Sequence, residues 1–272
     1  MLSIKRIGYA SLITLCAGSL FAQTVDEIMS RHTKALGGID KISAVKTLKV
    51  SGTVQRGGGR RTANLDFTRY IKMPNKVRNE VEVRRFVIMQ GFDGTQGWSS
   101  RPDRDGGVRR HVIKGAALQA VVQSAHLVAP LLKMQENGMV FTFEGEEKLD
   151  GANVYKLKGM RKNGGWIFAF LDSESLMEVK REMVRTNADG KEIKTKALFG
   201  DYKPVGGVMI AHKITGTNNN PMGQRMRNRR GGNRRGGNRQ GGRSASQTGV
   251  TTIEKIEINT EMDDALFAMP KD

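Results

Sequence analysis

The sequence predicts a mainly β fold of the α+β class, built on a meandering antiparallel sheet, and three observations carry that prediction. Apolar residues recur at every second position over most of the chain, turn signals interrupt these runs at short intervals, and helical spacing is confined to two regions.

The first segment is expected to stand outside the fold. Lys5 and Arg6 precede an apolar run over 7–21, and Ala22 stands just before the polar Gln23. A basic start, an apolar middle shorter than the roughly 20 residues that span a bilayer, and a small residue before a polar one form the layout of a secretory signal peptide. Residues 1–22 are therefore expected to be removed on export to the periplasm or cell envelope, with a retained membrane anchor as the alternative. A lipid anchor on Cys16 is disfavoured by the bulky Leu15 before it. Because Cys16 is the only cysteine, residues 23–272 have no disulfide and no thiolate metal site and must rest on a hydrophobic core.

Thr24, three residues before Glu27, has the spacing of a capping box. Ile28, Met29, His32, Ala35 and Leu36 then recur at helical steps until Gly37-Gly38, a pair suited to a left-handed C-cap, and a short second helix is expected over 39–44. From Leu48 the period becomes two. Leu48, Val50 and Val54 alternate with Lys49, Ser51 and Thr53; Val77, Val81 and Val83 alternate with Arg78, Glu80 and Glu82; Met177, Val179 and Met183 alternate with Glu178, Lys180 and Glu182. Each run predicts a strand with one wet face. Pairs such as Pro74-Asn75, Asp93-Gly94, Asp150-Gly151 and Gly206-Gly207 mark the turns between strands.

Residues 116–134 interrupt the alternation. Leu118, Val121, Val122, Ala125, Val128, Leu131 and Leu132 form a helical stripe, with Pro130 expected to bend or end the helix near its last turn. Ala117, Ala120 and Leu127 lie off the stripe, so the helix is expected to be covered on more than one side. The run Trp166 through Leu171 is apolar on both faces, which predicts a cover on its second face, either the helices or an apolar ligand.

The net charge of +18 is unevenly spread. Residues 217–248 hold Arg225, Arg227, Arg229, Arg230, Arg234, Arg235, Arg239 and Arg243 and no acid, leaving +10 for the rest of the chain. A segment so rich in Arg, Gly and Asn cannot bury enough apolar area to offset its ordering entropy, and is expected to be a disordered loop inside a hairpin. It lacks interleaved aromatics, which argues against nucleic acid; an anionic membrane surface, lipopolysaccharide or another acidic partner suits it better.

No catalytic residue, cofactor site or metal site is visible. His32, His111, His126 and His212 share no metal-binding spacing, and no nucleophile elbow, phosphate loop or dinucleotide fingerprint occurs. Asp103-Arg104-Asp105-Gly106 lacks the spaced Glu of a calcium loop and predicts a turn. The chain is expected not to be an enzyme, a hydrolase assembled from distant strands being the remaining enzymatic alternative.

Several stretches resemble the LolA-like, outer-membrane lipoprotein-sorting superfamily. They are the helix ending in Leu36 and Gly37-Gly38, the run from Gly91 through Asp93-Gly94 to Trp98, Phe199-Gly200-Asp201-Tyr202 with Gly206-Gly207-Val208, and the ending from Asp263 to Pro270. The resemblance implies a curved antiparallel sheet forming an incomplete barrel, with helices over its concave apolar face. It also implies a periplasmic carrier for the acyl chains of lipoproteins or another lipid; the chain is expected to be a monomer. The arginine segment departs from that pattern. Apolar residues expected to line the cavity are Phe67, Phe86, Ile88, Trp98, Leu118, Val122, Leu131, Trp166, Phe168 and Phe170. A non-enzymatic scaffold that docks through its arginine segment is the competing expectation.

Overall fold

The computed structural model describes residues 24–56, 62–103, 105–160, 165–186, 192–218 and 247–271. The expected signal peptide and all eight arginines from Arg225 to Arg243 lie outside them.

Helix α1 (Val25–Ala35) begins as its sequence demands: Glu27 N–H donates to Thr24 Oγ1 at 3.2 Å, and Thr24 N–H donates back to Glu27 Oε2 at 3.1 Å. It ends where Gly37 and Gly38 take φ of 120° and 89°, and the Gly38 N–H bonds the Thr33 carbonyl at 3.0 Å. Helix α2 (Ile39–Ala44) follows.

The first meander comprises β1 (Thr47–Arg56), β2 (Ala63–Lys72), β3 (Lys76–Val83), β4 (Phe86–Phe92), β5 (Gly97–Pro102) and β6 (Val108–Ile113). Helices α3 (Gly115–Gln123) and α4 (Pro130–Glu136) lead to the second meander, β7 (Val140–Leu149), β8 (Ala152–Met160), β9 (Trp166–Asp172), β10 (Glu178–Thr186), β11 (Glu192–Val205), β12 (Val208–Asn218) and β13 (Gln247–Ile258). Every pairing is antiparallel, and the order is β6-β5-β4-β3-β2-β1-β13-β12-β11-β10-β9-β8-β7. β12 and β13 pair out to Asn218 opposite Gln247, two residues further on each side than the expected loop limits.

This order explains the shape. β6 and β7 are opposite edges of the sheet, yet one connection of two short helices joins them. Thirteen flat strands at about 4.8 Å spacing would set those edges nearly 60 Å apart. Helical residues advance only about 1.5 Å each, so the connection runs along a chord, inside a strongly curved and unclosed sheet. The mainly β, incomplete-barrel fold expected from the sequence is what the structure has.

Apolar rows cross the concave face in register. One runs Leu48, Ile71, Val77, Phe92, Gly97 and Ile113 through five neighbouring pairs of residues. Leu48, Ile71 and Val77 are wholly buried in a cluster with Ile42 of α2, Val121 of α3, and Ala125 and Val128 of the connection that follows it. In a second cluster, Ile28 and Met29 of α1 and Leu131 of α4 pack on Leu157, Ile167, Ala169 and Leu171.

Three expectations are corrected. The stripe over 116–134 is two helices, because Pro130 occupies the first turn of α4, where its missing N–H costs nothing, after a left-handed Ala129 with φ of 43°. The first of these helices is covered on one side only: Ala117 and Ala120 are exposed. And the second apolar face of β9 is not covered by the helices: Lys156 and Lys180 lie over it, 4.7 Å and 4.3 Å from the centroids of Phe168 and Phe170.

Candidate functional site

Among the described residues, clefts open on the concave face. The first lies beneath α3, about 660 Å³ including its open mouth, lined by Val54, Phe67, Arg69, Asn79, Val81, Gln90, Val121 and Ser124. Cross-strand register places Phe67 opposite Val81 and Arg69 opposite Asn79. A polar row therefore runs beside an apolar one. Arg69 Nε donates to Asn79 Oδ1 at 2.6 Å, Asn79 Nδ2 to Ser124 Oγ at 2.9 Å, and the Ser124 hydroxyl to the Val121 carbonyl at 2.6 Å. The chain of bonds ties the strands to the helix above them. Burial pushes the Arg69 guanidinium down to about 10.

The second cleft, about 480 Å³ with its mouth, lies between α1, the 126–130 segment and β10–β12. Glu178, buried at its base, binds Arg181 through both carboxylate oxygens, Oε1 accepting from Nε at 2.7 Å and Oε2 from Nη2. The Tyr202 hydroxyl donates to the Glu178 carbonyl at 2.8 Å, and burial, with the Glu178 charge, raises its ionisation well above the ordinary tyrosine range. His32 Nδ1 lies 2.7 Å from the Leu176 carbonyl, so the neutral ring carries its proton there, while buried Nε2 has no partner among the described residues.

Burial lowers the His32 pKa, outweighing its bond to Leu176 and the Glu178 charge. The unfolded chain then gains a proton below about pH 6.5 that the fold refuses, so stability is full above that pH and falls below it. The melting temperature is expected to drop on acidification from about pH 7.5 to about 5.5. The drop should shrink in His32→Asn, whose amide can still donate to Leu176; equal slopes in the two proteins would remove His32 as the cause.

Of the residues expected to line a cavity, Phe67 lines the first cleft. Leu118 packs on the cluster beneath α3, half-buried Val122 shares that helix, and Ile88, opposite Val81, shares the concave face. Leu131 is fully buried in the second cluster, beneath α4. The others are elsewhere. Phe86 has the right parity but stands at a hairpin end, 36% exposed under Arg85. Trp166, Phe168 and Phe170 pair with Val184, Glu182 and Lys180 on the convex side, opposite Ile167 and Ala169.

Trp98 is also on the convex face. It pairs with Gly91, where any Cβ would overlap the indole, and its Nε1 donates to the Phe267 carbonyl at 2.7 Å. The C-terminal 3₁₀ turn Asp264–Phe267 covers it there. Lys72 and Lys76, each 2.7 Å from the Asp264 carboxylate, anchor that turn and hold the carboxyl down at about 2.

The period-two reading missed Glu178 and Arg181. It assigned Glu178 to the wet face, but β10 breaks register between Glu178 and Lys180, and the bulge turns Glu178 inward. Arg69 and Asn79 were missed because a polar row is visible only after the strands are aligned. Among the described residues no group of three His, Cys, Asp or Glu is placed to hold a metal, and no helix is long and apolar enough to cross a membrane.

Neither a family model nor a curated protein sequence matches the chain. Solved structures do. A DUF1329 family protein from Desulfovibrio piger is 12% identical with a TM-score of 0.59, over 90% of this chain and 97% of that one. A LolA superfamily protein from Nitrosomonas europaea is 9% identical with a TM-score of 0.56, over 91% and 99%. A domain from Vibrio parahaemolyticus, named for outer membrane lipoprotein sorting, is 12% identical with a TM-score of 0.51, over 89% and 94%. At such identities the likeness shows the fold, which is LolA-like.

Proposed function

We propose that this chain of LolA-like fold is an exported envelope protein that carries or binds an acyl chain, of a lipoprotein or another lipid, without catalysing a reaction. One observation carries the reading: the cleft beneath α3 stays open to solvent although Val54, Phe67, Val81 and Val121 line it. Val54 and Val81, only partly buried, with Phe67 and Val121 behind them, give the open cleft an apolar side that a hydrocarbon chain would cover. Each methylene transferred from water to such a wall contributes about 0.8 kcal/mol, so the task needs apolar area and no reactive group. The basic and apolar run over 1–22 supports export, and the lipoprotein-sorting name of the Vibrio neighbour supports an acyl ligand.

The protein purified from its native envelope without detergent is expected to release acyl-bearing molecules in near-stoichiometric amount on solvent extraction, read by mass spectrometry. A reproducibly empty protein that also takes up no fluorescent fatty acid or fatty ester would overturn the reading.

A further inference from the structure

We infer that the cleft beneath α3 takes a single-chain amphiphile with a carboxylate head, and that the Arg69 guanidinium receives that head. The inference rests on the carrier reading above and narrows its ligand to the fatty-acid class.

Arg69 stands on the concave face between two apolar rows, with Ile71 and Val77 on one side and Phe67 and Val81 on the other. Its Nε is committed to Asn79, and its guanidinium carbon lies 5.8 Å from the Phe67 ring centroid, so its plane is held. The Asn79 and Ser124 groups that hold it are themselves bonded. Among the described residues, Nη1 and Nη2 have neither a hydrogen-bond nor an ion-pair partner. Glu80 also borders the cleft, but its carboxylate is engaged by Arg78 at 2.6 Å, and Arg78 points to the other face of β3. Burial alone moves the guanidinium, which stays charged at neutral pH. The cleft thus offers a cation without a charged partner among the described residues beside the apolar Phe67, Val81 and Val121, a pairing that an anion carrying a hydrocarbon chain would satisfy at both ends.

The geometry selects the anion. Two free terminal nitrogens form the planar fork that a carboxylate meets with two parallel hydrogen bonds. Gln90, opposite Asn79 in the same cross-strand row, adds an amide group beside the fork. Phe67, Val81 and Val121 flank the path of the chain. An acyl group in ester or amide linkage has no charge to offer, and Arg69 would remain unpaired beside it.

The test compares cis-parinaric acid with its methyl ester, both fluorescent on burial, titrated into the wild-type protein, Arg69→Leu and Arg69→Lys. The wild type is expected to bind the acid about tenfold more tightly than the ester, the equivalent of about 1.4 kcal/mol. Arg69→Leu is expected to abolish the preference, bringing the ratio of acid to ester affinity to about one, and Arg69→Lys to restore part of it. Equal binding of acid and ester by the wild type, a comparison that does not depend on a variant folding, would overturn the role of Arg69 and leave the carrier reading standing. Binding of neither would sink both. Stronger displacement of the probe by dodecyl phosphate than by dodecanoic acid would reassign the head to phosphate and overturn the carboxylate.

Discussion

Glu178→Ala is expected to destabilise the protein by about 3–5 kcal/mol, the cost of leaving one charge of a buried pair without its partner. Only 2% of the Glu178 side chain and 12% of the Arg181 side chain are exposed. Removing the carboxylate leaves a guanidinium held against the Phe199 ring, 4.9 Å from its centroid, with no acid to compensate it. The Tyr202 bond survives, since it goes to the Glu178 backbone. Arg181→Leu together with Glu178→Ala is expected to cost less than the single Glu178→Ala change, because the double change leaves no charge behind. Urea midpoints for the single and double variants decide the matter. A loss below about 1 kcal/mol in Glu178→Ala would mean that the pair is open to water and screened.

Trp98→Ala is expected to cost a similar amount, about 3–5 kcal/mol, through the cavity left by a fully buried indole. Trp98 and Phe267 are both 0% exposed, and they lie on the side of the sheet away from the helices. The change also orphans the Phe267 carbonyl and uncovers the C-terminal turn. Trp98→Phe separates the contributions: most of the volume stays, the N–H donor goes, and about 1–3 kcal/mol is expected from the unsatisfied carbonyl. Thermal melts measure the stability, and limited proteolysis near 264–267 reports release of the turn. A Trp98→Ala protein that melts like the wild type and keeps that turn protected would contradict this packing.

Much of the fold was legible in the sequence because its signals are local. Thr24 and Glu27 satisfy each other within one turn, Gly37 and Gly38 supply the backbone that ends the helix, and alternation over Leu48–Val54 or Val77–Val83 follows from the pleat. Pro130 shows the margin of such signals, since the same residue can close one helix or open the next and the choice lies with Ala129. The candidate site was less legible. Alternation sorts residues onto two faces without saying which face the helices cover, so Trp98, Phe168 and Phe170 were assigned to a cavity they do not face. The bulge in β10 carries no local mark, and it inverts Glu178.

The sequence by itself determined the antiparallel class, the helix limits near the start of the chain, the turns and the concentration of charge between the last two strands. Only the tertiary structure decided which apolar residues meet under α3, and that Arg69, Asn79 and Ser124 stand in one line there. The reason is physical. Secondary structure and turns answer to neighbours a few residues away, whereas burial and counter-charge answer to partners such as Asn79 and Ser124, 45 residues apart, or Trp98 and Phe267, 169 apart, which meet only when the sheet curls and the helices cross it.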